Sequence, residues 1–493
     1  MAERLFLGID VGTQGARALA VNEAGEVLAE ASQDFPLSGA APLLPEGWFE
    51  QPPVLWWKAT REAIARTVSL LRRAGHHPSR IHAVSVTSTS GTILALDEHC
   101  EPLGPAIMYN DRRSGAQAAR VNAAAEELTA KLGYKFNASF GLPKMLWLKE
   151  QRPDLFARTR LFAHAGDYIL TKLCGESGIT DYSTALKSGY DLVAEAWPAF
   201  IEDFLGLPLS TLPTVLPPGT PIGRVTAECA AATGLARSTL VVLGMTDGCT
   251  SQIASGAVRP GAWNTTIGTT LVLKGVTSRL LLDPKGRIYS HRHPDGYWMP
   301  GGASNVGGDC LELHFQREEF DALNRAIRNR PPTTLLIYPL QKKGERFPIV
   351  DPEAEGFVAG QPADRYELYQ GYLEGVGYVE RLAYDVLSRL GAEVGKRIYV
   401  AGGATKSPEW LRIRASILNK TLQKPKVTGA HMGAAILAAS RTHWGSLCEA
   451  ADRMVTVESE TSPDPALTAC YADRYRDFLA EMSKRGYLAS EEV

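Results

Sequence analysis

Three short turns rich in glycine and threonine stand out because each follows an apolar run typical of a β-strand. The turns are Gly12-Thr13-Gln14-Gly15, Gly268-Thr269-Thr270 and Gly402-Gly403-Ala404. Glycine lets backbone amides approach a phosphate closely, and threonine adds a hydroxyl donor. A single turn of this kind is weak evidence, since turns generally favour glycine. Three of them in one chain predict a protein that binds phosphate groups.

Two aspartates have a sequence context that suits phosphate chemistry. Asp10 ends an apolar run immediately before the first turn, where a carboxylate could organise magnesium. Asp247 follows another apolar run, where a carboxylate could act as the general base that accepts a hydroxyl proton during phosphoryl transfer. The structural alternative for both is an Asx-type turn or a helix cap, and the residues by themselves leave it open.

Other residues that could carry chemistry have a structural interpretation here. Lys144 precedes an apolar stretch and is predicted to be a surface lysine whose stem covers apolar side chains. The aromatic pairs Trp48-Phe49 and Trp56-Trp57 are predicted to pack in the core or at a domain edge rather than to form a sugar platform. His291 and His293 share no metal-ligand spacing with a carboxylate or cysteine, so a structural or surface role is predicted for them.

Two common nucleotide-binding signatures are missing from the sequence. The nearest approach to a Walker loop is Gly391-Ala392-Glu393-Val394-Gly395-Lys396-Arg397, which is one residue short and lacks the serine or threonine that would hold magnesium. No GxGxxG motif opens a helix after a strand, so a Rossmann dinucleotide site is not supported.

The composition is that of an ordinary globular protein of 493 residues. Its 54 acidic and 52 basic residues give a net charge of −2, which excludes the basic surface that most nucleic-acid binders need. No apolar run approaches the roughly 20 residues of a membrane-spanning helix. Seven scattered cysteines form no CxxC pair, which predicts reduced thiols in a cytoplasmic protein.

The elements around these residues predict an α/β architecture. Leu5 to Ile9 and Ala16 to Val21 are predicted strands on either side of the first turn, and residues 261–273 repeat this strand–turn–strand unit. Apolar residues at helical spacing follow each unit. Two such units some 255 residues apart indicate a duplicated core with a boundary near residue 255.

A collinear set of motifs resembles the FGGY carbohydrate kinases, which belong to the actin-like ATPase superfamily. Besides the turns, the matching segments are Gly47-Trp48-Phe49-Glu50-Gln51, Pro105 to Arg113, Thr180-Asp181-Tyr182-Ser183, Thr246-Asp247, Gly302-Ala303-Ser304-Asn305 and Ala401 to Trp410. The matches extend over nearly the whole chain. Together they are highly specific, although each is weak alone.

The resemblance implies two ribonuclease-H-like domains, residues 1–254 and 255–493, flanking a catalytic cleft. The first would bind sugar and supply Asp247 as the base, and the second would bind ATP. Asp10 would organise Mg²⁺ and face the substrate, and Thr13, next to Gly12, would face the transferring phosphate. The other implied nucleotide-binding residues are Gly268, Thr269, Gly402, Gly403, Ala404, Ser407 and Trp410.

Departures from the family pattern bear on the substrate. Typical xylulokinases carry a Met-His pair where this chain has Ser90-Gly91, and glycerol kinases carry Arg-Glu. The Ser-Gly-Thr version most resembles the D-ribulokinase or xylulokinase-like branch. Ser90 could therefore hydrogen-bond a sugar hydroxyl, and D-ribulose is the predicted substrate, with D-xylulose or another sugar or polyol as the alternative.

Two predictions from other functional classes compete with this one. A non-catalytic regulator on the same scaffold would bind sugar or nucleotide without phosphoryl transfer. An actin-like or chaperone ATPase would hydrolyse ATP regardless of sugar. The expected partner is a small-molecule sugar, with no nucleic acid and no membrane, and a homodimer is one option for the oligomeric state.

Overall fold

A computed structural model describes residues 3–35 and 44–488 of the chain. The chain divides into two compact units. The first contains the chain through Val258 together with His291–Gly296 and Val427–Thr456. The second contains Arg259–Ser290, Tyr297–Lys426 and the chain from Val457 onward. A segment late in the sequence therefore completes the first unit.

The first unit is built on a six-stranded mixed sheet. In spatial order its strands are Pro221–Arg224, Leu240–Val242, Ile81–Ser88, Leu5–Val11, Gly15–Asn22 and Val27–Asp34. The strands Leu240–Val242, Ile81–Ser88 and Leu5–Val11 are parallel, and the remaining neighbours pair antiparallel. Two-stranded pairs outside this sheet use Glu50–Gln51, Leu94–Leu96, Ala106–Ile107, Leu161–Ala163, Ile179–Asp181 and Thr214–Leu216.

Both faces of this sheet are covered by helices. Alternate residues of the strand Leu5–Val11 share a core with the helix Pro53–Arg73, as a side-chain period of two requires. On the opposite face, the fully buried helix Ala430–Ala439 packs so closely that a methyl group on Gly8 would lie 1.8 Å from the carbonyl oxygen of His431. The unit's other helices are Gly115–Ala124, Glu126–Leu132, Gly141–Gln151, Pro153–Arg158, Ala165–Cys174, Tyr182–Ala185, Phe200–Asp203, Ala227–Thr233, Asp247–Ser255 and Leu447–Met454.

The second unit repeats this arrangement. Six of its strands follow the order Trp298–Ser304, Leu271–Gly275, Trp263–Ile267, Arg397–Ala401, Thr421–Pro425 and Val457–Thr461. Their pairings are antiparallel, antiparallel, parallel, parallel and antiparallel, which is the series that the first sheet shows when it is read from Val27–Asp34. The sequence prediction of a duplicated α/β core is confirmed by this shared topology.

The remaining elements complete the second unit. Its helices are Asp309–His314, Phe320–Ile327, Arg365–Arg389, Pro408–Leu418 and Pro465–Lys484, and a two-stranded pair joins Leu336–Tyr338 and Phe357–Ala359. The strand Tyr289–Arg292 spans the point where the chain passes from one unit to the other. None of the helices in residues 3–35 and 44–488 is long and apolar enough to cross a membrane.

Three local features can be compared with these bounds. Ser407 followed by Pro408 predicts a helix start, and the structure confirms it, because the Ser407 hydroxyl accepts a hydrogen bond from the Trp410 amide at 3.1 Å and Pro408 begins the helix. The proline-rich stretch 198–221 lies within the first unit and does not separate the two units. The helix Pro465–Lys484 buries Tyr471, Tyr475 and Phe478.

Candidate active site

Three of the predicted site residues lie at the carboxyl ends of neighbouring parallel strands. Asp10 is near the end of the strand Leu5–Val11, and Ser90 follows the strand Ile81–Ser88. Asp247 begins a helix directly after Thr246, which forms an isolated parallel bridge with Ser88. The carboxyl ends of parallel strands are the usual place for ligand sites in open α/β sheets.

Buried hydroxyl groups hold the start of the helix Asp247–Ser255. The Thr246 amide donates to the Ser183 hydroxyl at 2.9 Å, and this hydroxyl donates to the Asp181 carboxylate at 2.6 Å. The hydroxyl groups of Thr87 and Thr250 lie 2.8 Å apart and join the helix to a central strand. These contacts fix the backbone next to Asp247.

Asp10 is half-buried, and one oxygen of its carboxylate is enclosed. Burial, together with the neighbouring charge of Asp247, raises the pKa of Asp10 to about 6, while Arg17 partly opposes this rise. Its Oδ1 atom is buried and has no hydrogen-bond partner among the residues that the structure describes. A buried carboxylate oxygen without a partner fits a hydrated Mg²⁺, which uses one or two carboxylates together with water and phosphate.

No group of three or more histidine, cysteine, aspartate or glutamate side chains within residues 3–35 and 44–488 could hold a metal ion. A cage made entirely of protein ligands is therefore not present in this part of the chain. The Asp10 carboxylate suits the other kind of magnesium site, in which phosphate and water complete the coordination.

The turn after Asp10 is anchored from a second motif. The Gly12 amide donates to the Gly15 carbonyl at 3.0 Å and closes the turn. The side-chain amide nitrogen of Gln51 donates to the Thr13 carbonyl at 2.8 Å, and the side-chain oxygen of Gln51 accepts from the Trp56 indole at 2.8 Å. The segment that contains Gln51 therefore fixes the backbone of the predicted phosphate-facing turn.

The aromatic residues near this segment form a packed cluster. Trp48 contacts Trp147 edge to face at 5.3 Å between ring centroids, and the Arg113 guanidinium lies 3.8 Å from the Trp48 ring centroid. Arg113 is also paired with Asp111, which accepts a hydrogen bond from the Phe49 amide. The prediction of a packing role for Trp48 is consistent with these contacts.

Ser90 lies in a tight turn with its hydroxyl group unused. Its Oγ atom is buried and has no hydrogen-bond partner in the described part of the chain. Gly91 follows with a φ of +85°, and a methyl group there would lie 2.3 Å from the Ser139 carbonyl oxygen. The turn therefore needs glycine at position 91 and leaves the Ser90 hydroxyl available to a ligand.

The surface position predicted for Lys144 is wrong. Lys144 is fully buried, and its ammonium group donates to the carbonyl oxygens of Gly91 at 2.7 Å and Ser139 at 3.2 Å. Burial and the charge of Lys187 lower the pKa of Lys144 to about 7, and Asp111 partly opposes this effect. The apolar stretch after Lys144 enters the core, and Lys144 enters with it to join two loop carbonyls.

Lys144→Met is expected to change how stability depends on pH. The folded pKa of about 7 is below the ordinary value of 10.5, so the unfolded chain binds more protons between these values and wild-type stability rises with pH. Each unit of that difference corresponds to about 1.4 kcal/mol. The free energy of unfolding, measured with denaturant at pH 7, 8.5 and 10, should rise less steeply with pH in Lys144→Met than in the wild type. Lys58→Met changes an exposed lysine and should keep the wild-type pH dependence of stability. The same pH dependence in all three proteins would contradict a lowered pKa of Lys144.

The second unit contains a cavity of about 500 Å³ among the predicted nucleotide-binding residues. Six of those residues line it, namely Gly268, Thr269, Gly403, Ala404, Ser407 and Trp410. Gly402 does not line the cavity but supports its wall. Its φ is +87°, and a methyl group there would lie 2.3 Å from the Ile267 carbonyl oxygen.

The turn at Gly268 is held rigidly by its neighbours. The Gly268 amide donates to the Thr270 carbonyl at 3.1 Å, and the Gly308 amide donates to the Gly268 carbonyl at 2.7 Å. A methyl group on Gly307 would lie 2.2 Å from the Thr269 carbonyl oxygen. A rigid turn of small residues at a cavity wall is suited to holding phosphate oxygens.

Sequence reasoning missed some residues that shape these sites. Asp181 and Ser183 belong to one of the sequence motifs, but the motif does not show that Ser183 contacts Thr246, 63 positions away. Asn324 lines the cavity of the second unit but has no local signal, since it is one polar residue in an amphipathic helix. The two histidines His291 and His293 are buried, which agrees with a structural role.

Comparison with known proteins also divides the chain into two domains. The FGGY family of carbohydrate kinases matches over residues 5–254 with its N-terminal domain and over residues 263–441 with its C-terminal domain. A xylulose kinase from Bacillus subtilis (strain 168) is 28% identical over 464 residues, covering 92% of this chain and 91% of that protein. A gluconokinase from the same organism is 27% identical over 459 residues, covering 88% and 86%.

Solved structures show the same fold. The xylulose kinase from Rhodospirillum rubrum is 27% identical, with a TM-score of 0.86 over 98% of this chain and 99% of that chain. A xylulose kinase from Brucella ovis gives a TM-score of 0.85 at 27% identity, over 99% and 100%. With both domain models matched in order, the chain belongs to the FGGY family of carbohydrate kinases.

Proposed function

We propose that this ATP-dependent sugar kinase phosphorylates a primary hydroxyl of a ketopentose and prefers D-ribulose to D-xylulose. The observation that carries the proposal is the turn at Ser90, where a small side chain presents a buried hydroxyl group that has no partner among the residues the structure describes. A short side chain leaves room for a sugar, and an unused hydroxyl can donate to or accept from a sugar hydroxyl. The related xylulose kinases and gluconokinases make other sugars the alternative.

The catalytic roles follow from the positions of the two carboxylates. Asp247 accepts the proton of the acceptor hydroxyl, whose oxygen forms a bond to the γ-phosphorus while the bond to the β,γ-bridging oxygen breaks and ADP leaves. Asp10 would hold Mg²⁺ through water, and the metal neutralises charge on the phosphates when it is bound. The Gly12-Thr13 and Gly268-Thr269 turns would hold phosphate oxygens. Catalysis then rests on positioning and charge stabilisation.

The proposed setting is the cytoplasm, as the scattered cysteines indicate. None of the seven cysteines, all of which the structure describes, forms a disulfide bond, and five of them are buried. Reduced cysteines are the usual state in a reducing compartment.

The experiment that tests the substrate proposal is an ADP-release assay with ATP and Mg²⁺. The panel contains D-ribulose, D-xylulose, L-ribulose, gluconate, glycerol and a no-sugar control. We expect the highest kcat/KM with D-ribulose and little ADP release without sugar. A higher kcat/KM with another member would reassign the substrate, and sugar binding by calorimetry without any ADP release would favour a regulator.

Ser90→Ala tests the residue that carries the proposal. We expect the KM for D-ribulose to rise about three- to tenfold, since a neutral hydrogen bond is worth roughly 0.5–1.5 kcal/mol, while the KM for ATP stays the same. Ser85→Ala is the matched control, because the Ser85 hydroxyl is also buried without a partner among the described residues but lies inside a strand. An unchanged KM for D-ribulose in Ser90→Ala would remove Ser90 from the sugar site.

A further inference from the structure

The side chain of Asn324 lies in the cavity of the second unit, which the proposed function gives to the nucleotide. Asn324 follows Phe320 by one helical turn in the helix Phe320–Ile327, and both side chains line the cavity. The buried residues Leu323 and Ile327 hold the helix against the core. Asn324 is therefore on a fixed element and not on a loop.

Both lone pairs of the Asn324 carbonyl oxygen are used by the protein. Its Oδ1 atom accepts hydrogen bonds from the Ser407 hydroxyl at 2.9 Å and from the Tyr369 hydroxyl at 3.1 Å. The Ser407 oxygen itself accepts from the Trp410 amide, so its proton is directed toward Asn324. Burial raises the pKa of Tyr369, which keeps this phenol protonated as a donor. Because the amide oxygen takes both of these hydrogen bonds, the amide nitrogen faces away from Ser407 and Tyr369.

The nitrogen of the same amide is then left with two N–H donors. Within residues 3–35 and 44–488, no protein atom accepts a hydrogen bond from Asn324 Nδ2, and the side chain is half-buried at the cavity wall. The amide oxygen is bonded to the protein, and the amide nitrogen is at the wall of the cavity. The nitrogen can therefore donate a hydrogen bond to a ligand.

The lining of the cavity combines two kinds of surface. Gly268, Thr269 and Gly308 supply backbone groups and a hydroxyl, which suit phosphate. Phe320, Tyr369, Trp410, Leu311 and Ala404 supply aromatic and aliphatic surface, which suits the flat face of a base. Asn324 accepts a hydrogen bond from Tyr369, so it lies next to the aromatic surface.

We propose that Asn324 recognises the nucleotide base by donating a hydrogen bond to a purine ring nitrogen that adenine and hypoxanthine share. Its saturated oxygen does not accept from the 6-amino group of adenine, so this residue does not read the feature that separates the two bases. Asn324 is therefore a specificity residue for purines as a class. Ser407 and Tyr369 act through it as positioning residues.

The test measures nucleotide affinity by calorimetry with non-hydrolysable analogues of ATP and ITP. We expect Asn324→Ala to weaken both by the same factor, about three- to tenfold for one neutral hydrogen bond. Asn329→Ala, an exposed asparagine five residues later, is the matched control and should bind as wild type does. Unchanged affinity in Asn324→Ala, or a loss confined to the ATP analogue, would overturn the proposal.

A second variant protects the test against loss of folding. Asn324→Asp keeps an oxygen for Ser407 and Tyr369 but removes the donors, and uncharged adenosine is the probe because it avoids repulsion of a triphosphate. Adenosine affinity should fall as it does in Asn324→Ala, and wild-type affinity would contradict the proposal.

A third comparison isolates the positioning role. Tyr369→Phe should weaken binding in the wild-type background and have no further effect in Asn324→Ala, whereas equal effects in both backgrounds would assign Tyr369 to packing alone and overturn its positioning role.

These measurements separate the proposal from the proposed function on which it rests. If wild-type protein binds neither nucleotide analogue, the kinase assignment of this cavity fails. If wild-type protein binds and Asn324→Ala binds equally well, only the role of Asn324 fails. Turnover is not needed for either result.

Discussion

Asp247→Asn is expected to lower kcat by about 10²–10⁴-fold, the usual contribution of a general base, with nucleotide affinity unchanged. The side-chain amide of asparagine cannot take up the proton of the sugar hydroxyl as the carboxylate does. Its oxygen can still accept the hydrogen bond that Asp247 Oδ1 receives from the Gly248 amide at 2.6 Å, so the helix start is retained. Steady-state ADP release and calorimetry with an ATP analogue measure the two quantities. The cavity proposed for the nucleotide lies in the other unit, which is why nucleotide affinity should not change.

The control for this prediction is Asp154→Asn. Asp154 lies in the first turn of another helix of the same unit, but it is exposed, so its replacement should leave kcat and both KM values as they are. Wild-type turnover by Asp247→Asn would show that another group accepts the proton.

The same variant has a readout that does not depend on turnover. The charge of Asp247 helps to raise the pKa of Asp10 to about 6, so removing that charge should lower the pKa of Asp10. Carbon-13 NMR of labelled aspartate carboxyl groups follows this value directly. An unchanged pKa for Asp10 would mean that burial alone raises it.

Gly8→Ala is expected to destabilise the first unit strongly. The added methyl group would lie 1.8 Å from the His431 carbonyl oxygen and 2.6 Å from the Ala435 amide, so backbone atoms of the helix Ala430–Ala439 would have to move. Overpacking in a core costs roughly 1–3 kcal/mol and sometimes more. For a unit of this size, about 3 kcal/mol lowers the melting temperature by roughly 6–12 °C.

The control is Gly104→Ala, where the nearest atom to an added methyl group is Leu155 Cδ1 at an ordinary 3.7 Å. Calorimetric melting should distinguish the two variants. Gly433→Ala tests the same packing from the helix side, because its methyl group would lie 1.9 Å from the Thr250 carbonyl oxygen. Wild-type melting of Gly8→Ala and Gly433→Ala would contradict the close packing of this helix on the first sheet.

Much of the local structure could be predicted from the sequence, because its signals are local. Apolar runs that end in glycine and threonine gave the strand–turn–strand units at residues 5–21 and 261–273, and the structure confirms both. Ser407-Pro408 predicted a helix start for the same reason, since an N-cap requires only neighbouring residues. The first strand extends two residues beyond its predicted end at Ile9, because Asp10 and Val11 still pair with Arg17 and Ala16 in the sheet.

Features that depend on distant partners could not be predicted in this way. A lysine beside an apolar stretch predicts a surface position for Lys144. The two carbonyl groups that bind its ammonium group in the interior belong to loops that this stretch does not reveal. The contact of Ser183 with Thr246 and that of Ser407 with Asn324 span 63 and 83 positions. Side-chain hydrogen bonds over such distances leave no periodicity in the sequence.

Strand periodicity and motifs a few residues long are enough to predict the α/β class, the duplicated core and the family of this protein. Three features become visible in the folded chain alone: residues 427–456 complete the first unit, Lys144 is buried, and Asn324 lines the cavity of the second unit. Close packing and hydrogen-bond orientation depend on which distant segments come together in space, and this information is not contained in any short stretch of sequence.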